Sequence, residues 1–273
     1  MRHSASYYPG LASYSNSGSG AFMALFDELR SRCKVWADQH DKMSLPLWLA
    51  LGLLSLIRKI VRHTIAEAAE RRYDKTLGID TGGEIIGTQL RMAPEERAYA
   101  KGYAGTPPTV AERLIGLVAD RARGFTFIDY GAGKGRVLLI AARYQFDRVV
   151  GVELSEPLIR VAAANIAAYA PRHPGLCPIE LVQTDAANYE LPQTPCVLFF
   201  YDPFQADLME RIGQRVHESF LANPRKLFII YYFPAFAHVF EAPFMRRQDV
   251  TDLPGGPMNR YDKPTASIFE TLP

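Results

Sequence analysis

Four carboxylates stand at or just beyond the ends of apolar runs: Asp129 after 125–128, Glu153 after 148–152, Asp185 after 179–184 and Asp202 after 197–201. The first is followed by glycines at alternate positions, Gly131, Gly133 and Gly135. Glycine has no Cβ, so backbone there can approach a ligand closely. A carboxylate at Glu153, 24 residues beyond Asp129, can accept hydrogen bonds from the two hydroxyls of a ribose. Asp202 can hydrogen-bond a nucleophile or take its proton, Pro203 fixes the turn behind it, and Phe204 offers an aromatic face to a cation or ring. Blander roles compete: Glu153 as a strand-end charge facing water, and Asp202 as the cap of a helix starting near Gln205.

These groups need a scaffold that gathers strand ends. Residues 125–130 read as a strand buried on both faces, and 137–143 as the helix after the glycine turn. Further strands are expected at 148–153, 179–184, 197–201, 227–233, 244–250 and 266–272. Helices are expected at 109–121, 157–169 and 205–221, with a short helical piece at 234–240 and another helix at 93–99. Alternation of this kind predicts an α/β fold, a parallel sheet with helices on both faces, and ligands bind such sheets beyond the carboxyl ends of the strands.

The glycine spacing separates two ligand classes. A dinucleotide fingerprint has its third glycine three positions after the second; here that position is Arg136. Asp129-Tyr-Gly-Ala-Gly-Lys-Gly135 instead resembles the first motif of class I S-adenosylmethionine (AdoMet)-dependent methyltransferases. Tyr73-Asp, Gly78-Ile-Asp-Thr-x-Gly83, Gly102-Tyr-x-x-Thr-Pro107, Val150-Gly-Val-Glu153 and Phe200-Tyr-Asp-Pro-Phe204 extend the likeness, over about residues 70–273, to a bacterial family of such enzymes with unnamed substrates. The resemblance implies a Rossmann-like seven-stranded sheet closed by an antiparallel last strand. It also implies a cofactor site of Asp129, Gly131, Gly133, Gly135, Glu153, Asp185 and Ala186, with Asp185 reading the adenine amino group. The segment before the first strand would cover the cofactor, making Tyr103 and Thr106 lid candidates; otherwise Thr106 starts a helix and Tyr103 packs beneath it.

Asp202, Pro203 and Phe204 would face the methyl acceptor, a small molecule or protein with an O or N nucleophile. The related motif commonly has Asn where this chain has Asp202. The fifth strand ends Tyr231-Tyr-Phe-Pro-Ala-Phe236 without a carboxylate, so no metal is expected. An AdoMet-binding scaffold subunit and an NAD-dependent oxidoreductase are the rival readings.

At 273 residues, the chain has room for one large domain with an extension. The expected divisions are a disordered tail at 1–20, a helical extension at 21–72, and a catalytic domain at 73–273 whose covering segment is 73–124. Net charge is +2, and residues 1–75 hold 11 Lys/Arg against 7 Asp/Glu, too diffuse to argue for nucleic acid. Cys33, Cys177 and Cys196 form no closely spaced pair, which points to a reducing, cytoplasmic compartment, with Cys196 as core.

Residues 21–39 have helical apolar spacing, and 43–57 carry no charge, with Ser44 as cap and Pro46 in the first turn. That second helix is expected to run to about Arg72, where turn formers begin. Fifteen residues are too few to span a bilayer. The expectation is a buried helical layer or self-association surface, with peripheral membrane contact as the lesser alternative.

Overall fold

The computed structural model describes residues 45–86, 102–253 and 266–272. The expected tail at 1–20, the helices at 21–39 and 93–99, the Ser44 cap and Cys33 lie outside them. The chain divides into two compact units between Ile65 and Ala66. Of the first, the described part is the N-terminal portion of helix α1 (Leu45–Leu77).

Helix α1 corrects the expected stop at Arg72, since residues 73–77 are helical. Its end is a Schellman motif: Gly78, at φ 63°, donates to the Lys75 carbonyl, and the Ile79 N–H reaches the Asp74 carbonyl at 3.0 Å. The turn formers at 73–77 therefore belong to the helix, and Gly78 is the residue that stops it. A hairpin follows, strand β1 (Glu84–Ile86) pairing antiparallel with β2 (Gly102–Ala104).

Helix α2 (Pro108–Ala119) starts at a proline, whose missing N–H would have lacked a helical partner anyway. Its N-cap is Pro107, so Thr106 does not cap it. Then come β3 (Thr126–Tyr130), α3 (Arg136–Ala141), β4 (Arg148–Glu153), α4 (Glu156–Tyr169), β5 (Ile179–Gln183), β6 (Cys196–Tyr201), α5 (Ala206–Ala222) and β7 (Leu227–Tyr232). The expected piece at 234–240 is a 3-10 turn over Ala237–Phe240. Strands β8 (Met245–Val250) and β9 (Ala266–Thr271) complete the sheet.

The order is β5-β4-β3-β6-β7-β9-β8. Strands β3 to β7 are parallel, and β9 inserts antiparallel between β7 and β8. This is the Rossmann-like seven-stranded arrangement that the sequence implies. The order reverses between β3 and β6, which places a crevice beyond their carboxyl ends.

Alternation along the strands sends residues to opposite faces. Phe127, Phe199, Phe228 and Ile230 pack with α2 and α3 residues such as Leu114 and Leu138. Ile128, Phe200, Ile229 and Tyr231 pack with Met209, Ile212 and Val216 of α5. β3 is buried along its whole length, as its uninterrupted apolar run requires. Cys196 is buried core, its thiol pushed up to about 11 by burial.

One charge is built into this interior. Arg136, first residue of α3, is only 2% exposed. Its Nε donates to Thr81 Oγ1 at 2.8 Å, and its Nη1 lies 3.1 Å from both Glu70 Oε2 and the Thr106 carbonyl. Asp74 Oδ1 stands 3.7 Å from Nη2. Asp74 also accepts the N–H groups of Thr81 and Gly82 and the Thr81 hydroxyl, at 2.6–2.7 Å. A Cβ at Gly105 would lie 2.6 Å from Arg136 Nη1, so glycine is needed for this approach. The guanidinium thus ties the end of α1, the 78–82 loop and the chain before α2 to the start of α3. Removing one partner of a buried ion network costs about 3–5 kcal/mol. Arg136→Ala is therefore expected to lower stability by about that amount in urea unfolding, with faster proteolysis between residues 78 and 106. Arg136→Lys should restore little, because an ammonium cannot reproduce the guanidinium's several directed contacts.

Candidate active site

The turn between β3 and α3 opens on Asp129, 4% exposed at the end of β3. Its carboxyl is pushed up to about 8, first by burial and then by the neighbouring Glu153 carboxylate. Among the described residues no Lys, Arg or His offsets that charge. Glu153, at the end of β4, accepts three backbone N–H groups: Gly133 on Oε2, Leu154 and Ser155 on Oε1, all at 2.9 Å. Burial raises its pKa against the pull of those donors. Two carboxyl groups are therefore buried close enough to couple, with no cation acting on Asp129.

Four of the turn's N–H donors are already engaged. Gly131 and Ala132 donate to the Val152 carbonyl, Gly133 to Glu153, and Gly135 to the Ala132 carbonyl. A pyrophosphate would need such N–H groups free, so the geometry departs from a phosphate cradle. Of the four lone-pair positions on Glu153, three are used, leaving one on Oε2 for a ligand hydroxyl. The structure therefore has room for one hydroxyl contact at Glu153 without displacing a backbone donor, one fewer than the spacing suggested.

Two aromatic elements close on the turn. A Cβ on Gly133 would overlap the Tyr103 ring, whose hydroxyl donates to the Thr81 carbonyl at 2.6 Å. Lys134 Nζ lies 5.6 Å from that ring's centroid and bonds Asp80 Oδ1 and the Gly82 carbonyl. Asn165 on α4 exchanges hydrogen bonds with the Asp80 backbone and reaches the Lys134 carbonyl at 2.9 Å. On the other side, a Cβ on Gly131 would stand 3.1 Å from Pro203 and 3.7 Å from the Phe204 ring. Tyr103 and the Asp-Pro-Phe turn therefore each pack on a glycine of this turn, Gly133 and Gly131 respectively.

Asp202 sits at φ 34° and Phe233 at φ 52°, two positive-φ non-glycine residues just past the ends of adjacent strands β6 and β7. The Asp202 N–H donates to the Tyr232 carbonyl at 3.1 Å. Such backbone is strained and persists where surroundings over-determine it. Asp202 is not the helix cap, because that position belongs to Gln205. The Tyr231 hydroxyl is buried near enough to feel the Asp202 charge, without a well-formed hydrogen bond. Burial first, and Asp202 second, push its pKa above the usual phenol range. Tyr201, Tyr232 and Phe233 stack alongside.

The remaining candidates are less central. Asp185 caps the short 3-10 turn after β5, accepting from Ala187 N–H at 2.8 Å, and Ala186 is buried in that turn. Gly135 faces Ala162 of α4, where a Cβ would stand at 3.2 Å, so it serves packing. Thr106 enters through its carbonyl on Arg136, at the base of the cover. Sequence reasoning missed Arg136, Asp74, Thr81 and Asn165. The first signal available was an arginine inside an otherwise apolar helix start; Asp74 and Thr81 lay within the quoted motifs. Among the described residues, no three His, Cys, Asp or Glu side chains cluster as metal ligands.

No protein-family model and no curated protein matches the chain. Solved structures do resemble it. TrmN from Thermus thermophilus is 20% identical at a TM-score of 0.43, with 61% of this chain covering 49% of that one. The match thus spans about half of the Thermus protein. A TehB-like SAM-dependent methyltransferase from Corynebacterium glutamicum is 20% identical at 0.41, covering 59% and 87%. HI0767 from Haemophilus influenzae is 15% identical at 0.42, covering 60% and 97%. The chain's own strand order is that of a Rossmann-like seven-stranded sheet.

Proposed function

We propose that the chain binds S-adenosylmethionine at the β3–α3 turn and transfers its methyl group to an O or N nucleophile presented at Asp202. The observation that carries this reading is the shielded pair Asp129 and Glu153, which lacks a cation while the glycine-turn donors are already engaged. Such a site favours a ligand that brings positive charge and hydroxyls, and disfavours a pyrophosphate. AdoMet carries an ammonium, a sulfonium and a ribose, and supplies a methyl group already activated for attack.

The residues then bind, align and exclude water. Asp129 takes the ligand's positive charge, and Glu153 Oε2 accepts one ribose hydroxyl. Asp185 and the Ala186 N–H lie one strand further out, for the adenine edge. Tyr103, anchored through Thr81, covers the turn, while Pro203 and Phe204 bound the acceptor side. Asp202 holds the acceptor or takes its proton, in a backbone conformation fixed by the Tyr232 carbonyl.

Three results are expected. Glu153→Ala should weaken AdoMet binding by about tenfold or more in calorimetry, through loss of a charge-assisted hydrogen bond and of the Gly133 anchor. Unchanged affinity would remove Glu153 from the site, and tight NADH binding without AdoMet binding would favour the oxidoreductase.

Binding should also depend on pH. Unliganded Asp129 holds its proton to about 8, so a cationic ligand must expel it. Affinity should rise about tenfold from pH 6 to pH 7, with proton release visible as buffer-dependent heat. Asp129 binds its proton more tightly folded than unfolded. Its contribution to stability is therefore present below about pH 4 and lost as pH rises through about 8. Asp129→Asn should flatten both profiles, raise the melting temperature of the unliganded protein near pH 8 and hold AdoMet affinity at a weak, pH-independent level. A wild-type affinity flat across this range counts against the pairing.

The third result concerns turnover. Incubation with AdoMet and fractions holding small amines, alcohols, proteins or RNA should yield S-adenosylhomocysteine in at least one. Asp202→Ala should reduce that product severalfold while leaving AdoMet affinity intact. Good binding with no product from any fraction would favour the scaffold reading.

A further inference from the structure

The sequence of α1 is divided by charge. Between Asp41 and Glu67 there is no acidic residue, whereas Lys42, Arg58, Lys59 and Arg62 fall in that interval. From Glu67 to Leu77 the helix is balanced, Glu67, Glu70 and Asp74 against Arg71, Arg72 and Lys75.

The acid-free half also displays large apolar side chains. Leu53, Leu54, Ile57, Val61 and Ile65 are between 43% and 63% exposed. Steps of three, four and four residues from Leu54 to Ile65 keep those four positions on one side of the helix. Arg58, Lys59 and Arg62 fall within the same stretch of sequence. Scattered apolar residues need no explanation, but a continuous stripe in a cation-rich, acid-free stretch does.

We infer that the N-terminal half of α1 is a docking surface for an anionic lipid bilayer, lying in the plane of the headgroups with Leu54, Ile57, Val61 and Ile65 inserted. The charge decides between occupants. A second copy packed on the same acid-free stretch would set cation against cation, whereas anionic headgroups complement it. The depth follows from length. The uncharged part of the helix, residues 45–57, rises about 20 Å, less than a hydrocarbon core of about 30 Å. No helix among the described residues is long and apolar enough to cross a membrane.

The test is sedimentation of the full chain with phosphatidylcholine vesicles, with and without roughly one third phosphatidylglycerol. The expected result is about tenfold stronger binding to the anionic vesicles, weakened by salt. The Leu54→Glu/Ile57→Glu double variant should lose binding to both compositions. Arg58→Glu/Arg62→Glu should lose the preference for anionic lipid; it leaves the apolar stripe intact, so it carries the test alone if the first variant melts early. Absence of vesicle binding, binding indifferent to lipid charge, or a defined dimer that the Glu variants dissociate while vesicles are ignored would each overturn the inference.

Discussion

A guanidinium buried at the start of α3 is the constraint around which the first part of the second unit is arranged. Arg136 sits at a helix N-terminus, where the dipole disfavours positive charge, and it has almost no water to compensate. Such a charge persists only if carboxylates and carbonyls come to it. They come from segments far away in sequence: Glu70 and Asp74 on α1, Thr81 after it, and Thr106 before α2. Satisfying one side chain therefore fixes where α1 ends and how the chain from 78 to 82 lies against the glycine turn.

The two sides of that turn carry opposite electrostatics. Behind it, Arg136 is matched by two acids. In front of it, Asp129 and Glu153 are shielded together and matched by none among the described residues. Backbone donors stabilise the Glu153 charge, whereas burial and the Glu153 carboxylate push the Asp129 pKa up. Filling the positive side while leaving the negative side short of a cation costs stability, a trade common at functional sites. The strained Asp202 and Phe233 backbones, one strand end further along, belong to the same pattern.

Much of this was legible in the sequence because its signals are local. The runs at 125–130 and 197–201 read as strands because each is short and almost uninterruptedly apolar, the pattern of a strand buried on both faces. Asp129, Glu153 and Asp202 were recognisable because strand ends punctuate those runs. The helix end at 72 was misplaced because Tyr73 and Asp74 resemble turn formers. In fact Asp74 serves the following loop from within the helix, and the residue needed to end the helix was Gly78.

The sequence by itself determined the order and type of the elements, hence the sheet, because backbone hydrogen bonding and burial leave few alternatives for such a pattern. Only the tertiary structure decided which groups meet. Tyr103 comes to rest on Gly133, and Pro203 on Gly131, because neither glycine carries a Cβ to hold them off. Glu153 gives three of its four acceptor positions to backbone, and Asp129 finds no counter-charge, because neighbouring parallel strands bring both carboxylates to one shielded end of the sheet. Spacing along the chain cannot report these outcomes, since each depends on what a distant segment supplies or withholds at that point.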